Sequence, residues 1–341
     1  MISKPVLVGM TLEEIRKACE FFNLPKFAAR EIALWIYRRG AIGCEQFTNI
    51  SKKIRQTLAD QFEMGLVPPQ KVSISNDGTK KYLFPVHKNR FIETAYIPEV
   101  KRHTLCVSSQ IGCKLGCLFC MTAHQGFQGH LSTGEMLNQL LSVPEREQIT
   151  NLVFMGMGEP FDNTEPVLKA LEILIADYGM ALSPRKITVS TAGLIPGMQR
   201  FIRESKCQLA ISLHSPFAEE RAILMPIEKI YPIHEVIARL KEFTFEKQRR
   251  ISFEYILFKG FNDSIRHVNQ LVRLLNGLRC RINLMRFHSI PDSPLQSTDE
   301  RILQAFRDKL NAKGIITTVR ASRGEDILAA CGLLSTRIQV S

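Results

Sequence analysis

The chain has 341 residues, 45% of them hydrophobic and 23% charged, with a formal net charge of +12. That balance excludes a disordered or fibrous chain, and no apolar run approaches the roughly 18–20 residues needed to cross a bilayer. The amino terminus has no basic stretch followed by a long apolar run and a cleavage site, so the expected location is cytoplasmic, with no membrane partner.

A basic excess favours a polyanionic partner, because Lys and Arg neutralise phosphates and release counterions. Residues 1–95 carry 15 Lys and Arg against nine Asp and Glu, so little more than a quarter of the chain holds half of the excess. There are nine cysteines, and an odd number in a cytoplasmic chain argues against a disulfide framework. Cys19, Cys44, Cys207 and Cys280 lie in apolar patterns and read as small core residues.

In chain order, Thr11-x-x-Glu14 is a capping box opening a helix to about Phe22. Second and third helices fit Lys26–Arg39 and Ser51–Phe62. They present Lys26, Arg30, Arg38, Arg39, Lys52, Lys53 and Arg55, either as a basic binding face or as the solvated side of a simple bundle. Two β-rich arms around Asn76-Asp77-Gly78 predict a hairpin, and a linking strand follows at Phe91–Ile97. Residues 1–90 are therefore expected to form a small, basic helical domain with a hairpin linker, and residues 91–341 the core.

From about Arg102 apolar strands recur at Thr104–Ser108, Asn151–Met157, Lys186–Thr191, Gln208–Leu213, Ile251–Phe258, Arg281–Phe287 and Ile315–Val319. Segments such as Thr133–Leu141 and Glu165–Asp177 between them have helical periodicity. This alternation predicts an α/β core with a parallel sheet, a full or incomplete (β/α) barrel. Ligands in such folds gather at the carboxyl ends of the strands. The polar and glycine-rich groups fall there: Gly156-Met157-Gly158-Glu159-Pro160, Ser190-Thr191, Ser212-Leu213-His214 and His288. No internal repeat or low-complexity tract is present.

Directly after the first of these strands comes Cys113-Lys-Leu-Gly-Cys117-Leu-Phe-Cys120. Thiolates so spaced on one loop can converge on a soft metal centre, and three of them leave one iron of a [4Fe–4S] cluster open to a chelating molecule. A structural zinc with His124 or His103 as fourth ligand is the alternative. Zinc sites, however, usually show two ligand pairs a dozen or more residues apart.

The Cys-x-x-x-Cys-x-aromatic-Cys pattern resembles the signature of the radical S-adenosylmethionine superfamily, and Gly158-Glu159-Pro160 resembles its cofactor-binding turn. The resemblance implies that Cys113, Cys117 and Cys120 hold a [4Fe–4S] cluster. Its open iron would bind the amino and carboxylate groups of S-adenosylmethionine before reductive cleavage to methionine and a 5′-deoxyadenosyl radical. Cys106-Val-Ser-Ser-Gln-Ile-Gly-Cys113, Met155-Gly-Met-Gly-Glu-Pro160 and Arg323-Gly-Glu-Asp-Ile-Leu-Ala-Ala-Cys331-Gly together are similar to the RlmN/Cfr family of RNA adenine methyltransferases, from about Phe91 to about Thr336. By that resemblance Gly158, Glu159, Ser190, Ser212, Leu213 and His214 contact the cofactor, as does His288, where the family usually has Asn. Cys331 would carry the methyl group, Cys106 would resolve the protein–RNA adduct by forming a disulfide with it, and Glu93 would accept the ring proton.

The resemblance also implies an incomplete barrel of the radical S-adenosylmethionine type and a basic amino-terminal domain that grips RNA. The expected substrates are 23S rRNA at the peptidyl-transferase centre and tRNA at the adenosine beside the anticodon, methylated at C2. A monomer and an electron donor such as a flavodoxin or ferredoxin are expected too. The alternatives are C8 methylation on the same fold and a non-catalytic RNA-binding protein with a structural metal.

Overall fold

The computed structural model describes residues 4–245, 251–291 and 293–336. Its amino-terminal part is a helical layer: α1 (Leu12–Phe21), α2 (Ala28–Tyr37) and α3 (Lys52–Gln61). The Thr11 side chain accepts from the Glu14 amide at 3.3 Å while the Glu14 carboxylate accepts from the Thr11 amide at 2.8 Å. Two orphan amides at the start of α1 are thereby satisfied. Helix α2 is the buried member, with Ala28, Ala29, Ile32, Ala33, Ile36 and Tyr37 all inside. Helix α3 buries only Leu58 and is otherwise largely solvated.

Next come β1 (Lys71–Ile74), β2 (Lys80–Val86), β3 (Arg90–Glu99) and β4 (Arg102–Cys106), an antiparallel meander. The short pair β5 (Gln110–Ile111) and β6 (Gly129–His130) stands apart as its own two-stranded sheet, with α4 (Met121–Gln125) between its arms. After β4 the main sheet continues in parallel through β7 (Asn151–Phe154), β8 (Ile187–Thr191), β9 (Gln208–Ser212), β10 (Ile251–Leu257), β11 (Cys280–Arg286) and β12 (Ile316–Val319). The crossovers carry α5 (Thr133–Leu141), α6 (Thr164–Ile175), α7 (Ile195–Glu204), α8 (Ala218–Leu224), α9 (Ile233–Lys241), α10 (Ile265–Leu275) and α11 (Glu300–Ala312).

The ten strands run in the order β1-β2-β3-β4-β7-β8-β9-β10-β11-β12. Strand β12 pairs with β11 alone among the described residues, so the expected barrel is present and incomplete. All seven residues of β10 are buried, as expected of a parallel strand covered on both faces.

Both arms of the hairpin are hydrogen-bonded into the main sheet, so sheet structure begins at Lys71 rather than after a linker. The hairpin tip also holds the segment that follows β12. Asp77 accepts from the Gly324 amide at 2.9 Å, and Asp326 accepts from the Ser75 hydroxyl at 2.5 Å and the Asn76 amide at 3.1 Å. Beyond it, residues 332–336 run along α4: the Met121 amide donates to Gly332 O at 2.8 Å and the Thr122 hydroxyl to Leu334 O at 2.6 Å. No described helix is long and apolar enough to cross a membrane.

Candidate active site

The cysteine loop leaves the barrel at a glycine that nothing else can replace. Gly112 has φ +71°, and a Cβ there would meet Gly126 O at 1.7 Å. Beyond it Cys113, Cys117 and Cys120 line one cavity of about 150 Å³ together with Gly158, Glu159, Ser190, Ser212 and His214. Burial pushes the Cys113 thiol up to about 12 and Cys117 well above its ordinary value, and the neighbouring thiols add to both shifts. A soft cation among them reverses that balance and binds thiolates. No three His, Cys, Asp or Glu among the described residues gather around a single metal-ion position. A four-iron cluster takes its thiolates at separate corners, which suits three sulfurs spread around one cavity.

The strand-end groups are braced from behind. Gly158 has φ +98°, and a Cβ there would meet the Gln110 Cβ at 2.4 Å. The Glu159 carboxylate accepts from the Phe161 amide at 2.9 Å and the Ala192 amide at 2.8 Å, lacing the end of β7 to that of β8. Burial pushes its carboxyl up to about 7 despite these donors. Leu213 is wholly buried; its amide donates to Glu254 O at 3.0 Å and its carbonyl accepts from Arg221 Nε at 3.1 Å. His214 has φ +54°, and its Nδ1 accepts from the Ile256 amide at 3.0 Å. Burial, and then the Arg221 cation, push its imidazole down to about 3, so the ring is neutral at physiological pH. Phe119, the aromatic of the cysteine motif, meets that ring edge-on with centroids 4.6 Å apart.

A second, outer cavity of about 420 Å³ adjoins the first. Cys331 and Gly332 line both cavities, whereas Cys106 lines only the outer one. Both thiols are free. Cys106 ends β4 in an apolar patch with Ala95, Val153 and Ala329. Burial and the nearby Cys331 push its thiol up to about 12. Cys331 is exposed as a residue while lining both cavities, and burial raises its thiol while Arg320 opposes the shift.

Glu93 lines neither cavity. It is 0% exposed on β3, with Lys81 Nζ 3.0 Å from Oε1 and the Ser335 amide donating to Oε2 at 2.9 Å. Burial raises its carboxyl and Lys81 opposes it. His288 lines the outer cavity rather than the inner one, with Nδ1 3.2 Å from a Glu325 oxygen and Nε2 3.2 Å from the Ser322 hydroxyl. His103 and His124 line neither cavity; the former is held by the Tyr96 hydroxyl at 2.5 Å.

Three charged residues went unread in the sequence. Arg221 is fully buried, donating to Ala192 O at 2.7 Å, Ser212 O at 2.9 Å and Leu213 O, and paired with Glu228. It ties the ends of β8 and β9 together beneath the cofactor groups. Glu254 and Arg320 line the inner cavity 3.6 Å apart. Polar residues at alternate positions of apolar strands (Ser252 and Glu254, Thr318 and Arg320) were the available signal, because alternate positions share one face of the sheet.

An open parallel barrel whose first loop brings three thiols to a cavity rimmed by strand-end polar groups defines a radical S-adenosylmethionine enzyme. Residues 107–273 match the Radical SAM superfamily, and residues 6–64 match the Ribosomal RNA large subunit methyltransferase N-terminal domain. The probable dual-specificity RNA methyltransferase RlmN of Parabacteroides distasonis is 52% identical over 341 residues, 100% of this chain and 99% of that protein. The dual-specificity RNA methyltransferase RlmN of Syntrophus aciditrophicus is 41% identical, covering 96% of this chain and 95% of that one. A radical SAM methyltransferase from Sphaerobacter thermophilus superposes with a TM-score of 0.91 at 38% identity, covering 97% of this chain and 99% of that one. The chain belongs to the RlmN family of radical S-adenosylmethionine RNA methyltransferases. It uses a [4Fe–4S] cluster and S-adenosylmethionine.

Proposed function

We propose that this enzyme methylates C2 of adenosine in 23S rRNA and in tRNA, with Cys331 as the methyl carrier. The observation that carries this reading is that Cys331 lines both cavities, so one thiol can be served from the cofactor side and presented to RNA on the other. The names of the relatives support two RNA substrates.

Bound at Cys113, Cys117 and Cys120, the cluster supplies the electron that cleaves S-adenosylmethionine, which is the source of both the methyl group and the hydrogen-abstracting radical. Gly158 makes the left-handed turn that packs against Gln110 at the cavity wall, and Ser190, Ser212 and neutral His214 offer hydrogen bonds to the cofactor. Glu159, Leu213 and Arg221 fix the strand ends that carry them. The Cys331 sulfur would take the methyl group of one S-adenosylmethionine, displacing S-adenosylhomocysteine. The radical from a second would remove a hydrogen atom from that methyl group, leaving 5′-deoxyadenosine, and the methylene carbon would bond to the ring, whose surplus electron would return to the cluster. Glu93, which lines neither cavity in the free protein, accepts the ring proton once the carboxyl-terminal segment bonded to it through Ser335 shifts. The Cys106 thiolate then attacks the Cys331 sulfur; a disulfide forms, the carbon–sulfur bond breaks with its electron pair left on the methylene carbon, and a proton taken up there completes the methyl group of the RNA.

In this reading the helical domain contributes RNA contacts and the barrel the chemistry. The enzyme acts as a monomer in the cytoplasm and draws electrons from a flavodoxin or ferredoxin. The test is a nucleoside digest of rRNA and tRNA treated with the reduced holoenzyme. The expected product co-elutes with 2-methyladenosine; 8-methyladenosine alone, or no methylated adenosine, overturns the assignment.

A further inference from the structure

Adenine carries no formal charge, yet Arg102, Arg286, Arg320 and Arg323 all line the outer cavity. Two of the four have carboxylate partners: Arg286 lies 2.8 Å from Glu300, and Arg320 lies 3.6 Å from Glu254. The other two have none among the described residues. Arg102 Nε donates to the Thr104 hydroxyl at 3.0 Å, and Arg323 Nε is buried with no hydrogen-bond partner. Arg281, near the start of β11, has a buried Nε that likewise lacks one. Desolvation and the charges of Arg320 and Arg281 together lower the affinity of Arg102 for its own proton, against one opposing carboxylate, Glu99.

Like charges crowded at a partly dry site, with donors left unmatched, destabilise the empty protein. An anion that accepts several guanidinium hydrogen bonds relieves both costs, and a phosphodiester does so with the matching planar geometry. The position suits one. Arg102 begins the strand that Cys106 ends, about 13 Å away at 3.3 Å per residue. The Arg102 and Cys106 positions are therefore separated on the scale of a nucleotide, phosphate to base edge, while Arg320 lies near both thiols.

We propose that Arg102 and Arg323, with Arg281 adding its field, form a phosphate subsite in the outer cavity that holds the phosphodiester groups beside the target adenosine. The subsite rests on the functional reading above and deepens it: the enzyme takes its target as a nucleotide anchored by its backbone. Positioning by phosphate contacts, with chemistry at the base, is the general division of labour in nucleic-acid recognition.

Binding of the full chain to a stem-loop RNA bearing an unpaired adenosine, measured across a salt series, tests this with Arg102→Gln, Arg323→Gln and the double variant. Each single substitution should lower the log–log salt slope by about one unit and the double by about two. The wild type should bind adenosine 5′-monophosphate about tenfold or more tightly than adenosine, and the double variant should lose that preference. Its thermal midpoint in phosphate-free buffer should equal or exceed that of the wild type, because like-charge crowding is relieved. Unchanged slopes with an unchanged nucleotide preference overturn the subsite. A wild-type chain that binds no RNA instead overturns the functional reading, and a nucleotide preference dependent on these arginines then still supports the subsite.

Discussion

Cys331 and Cys106 face the same cavity from different surroundings, and the difference assigns their work. Cys331 belongs to both cavities; burial raises its thiol, and the Arg320 cation, which also acts on Cys106, opposes the shift. Cys106 lines only the outer cavity, in an apolar patch with its thiol pushed up to about 12, which keeps it protonated in the free protein. Cys331→Ala should therefore form no protein–RNA adduct. Cys106→Ala should build the adduct and keep it, since hydrolysis of a carbon–sulfur bond cannot release the RNA in useful time. Denaturing gels with and without ribonuclease check this; free methylated RNA from Cys106→Ala shows that Cys106 is only a strand residue. Gly158 offers a separate test of the scaffold. Its φ of +98° and the 2.4 Å approach to the Gln110 side chain leave no place for a methyl group. Gly158→Ala should cost roughly 1–3 kcal/mol in urea denaturation by strain at a left-handed position.

At the scale of elements, the loop that carries Cys331 is fixed by partners some 250 residues away in sequence. The tip of the β1–β2 hairpin holds Gly324 through Asp77, and holds Asp326 through Ser75 and Asn76. Replacing Asp77 and Asp326 by Ala removes four hydrogen bonds worth about 1 kcal/mol each, three between the hairpin and this loop and one from the Thr79 amide within the hairpin. The double variant should methylate Cys331 more slowly, as followed by intact-protein mass with S-adenosylmethionine and reductant, while iron content holds. A methylation rate equal to that of the wild type shows that the latch does not position the loop.

The same hydrogen bonds mark the limit of what sequence reveals. The parallel strands were readable because each is a short apolar run between helical segments, and the site because glycines, serines and cysteines stand at the strand ends. The hairpin was readable as a hairpin, but its place in the main sheet depends on the β2–β3 ladder, and local pattern does not say which strand an arm will pair with. Glu93 has an ordinary sequence setting; its complete burial against Lys81 and Ser335 follows from how the carboxyl-terminal segment lies over the sheet. His288 lies two residues beyond β11, near a strand end like the other cofactor groups, yet its ring is held by Ser322 and Glu325 from the segment after β12, which periodicity does not encode.

For the whole molecule, the net charge of +12 means long-range attraction to RNA, but the structure narrows which amino-terminal charges are available to it. Arg30 is paired with Asp177 at 2.9 Å, Arg39 with Glu31 at 3.1 Å, and Arg55 donates to Glu45 O at 2.6 Å. Lys26, Arg38, Lys52 and Lys53 remain exposed. Removing residues 1–85 would be a poor test of RNA binding, because it strips β1 and β2 from the sheet together with Lys81, the ion-pair partner of Glu93. Charge reversal keeps the fold. Lys52 and Lys53 lie in the first turn of α3, where an acidic side chain is favourable to the helix dipole. Lys52→Glu with Lys53→Glu should therefore leave thermal stability at or slightly above that of the wild type. If this face binds RNA, affinity falls and the log–log salt slope flattens by about one unit for each phosphate that is no longer neutralised. The effect should add to that of Arg102→Gln, because distant sites without shared partners combine independently. Full RNA affinity and an unchanged slope in the reversed variant confine RNA binding to the barrel and leave the helical layer's lysines as a solvated surface.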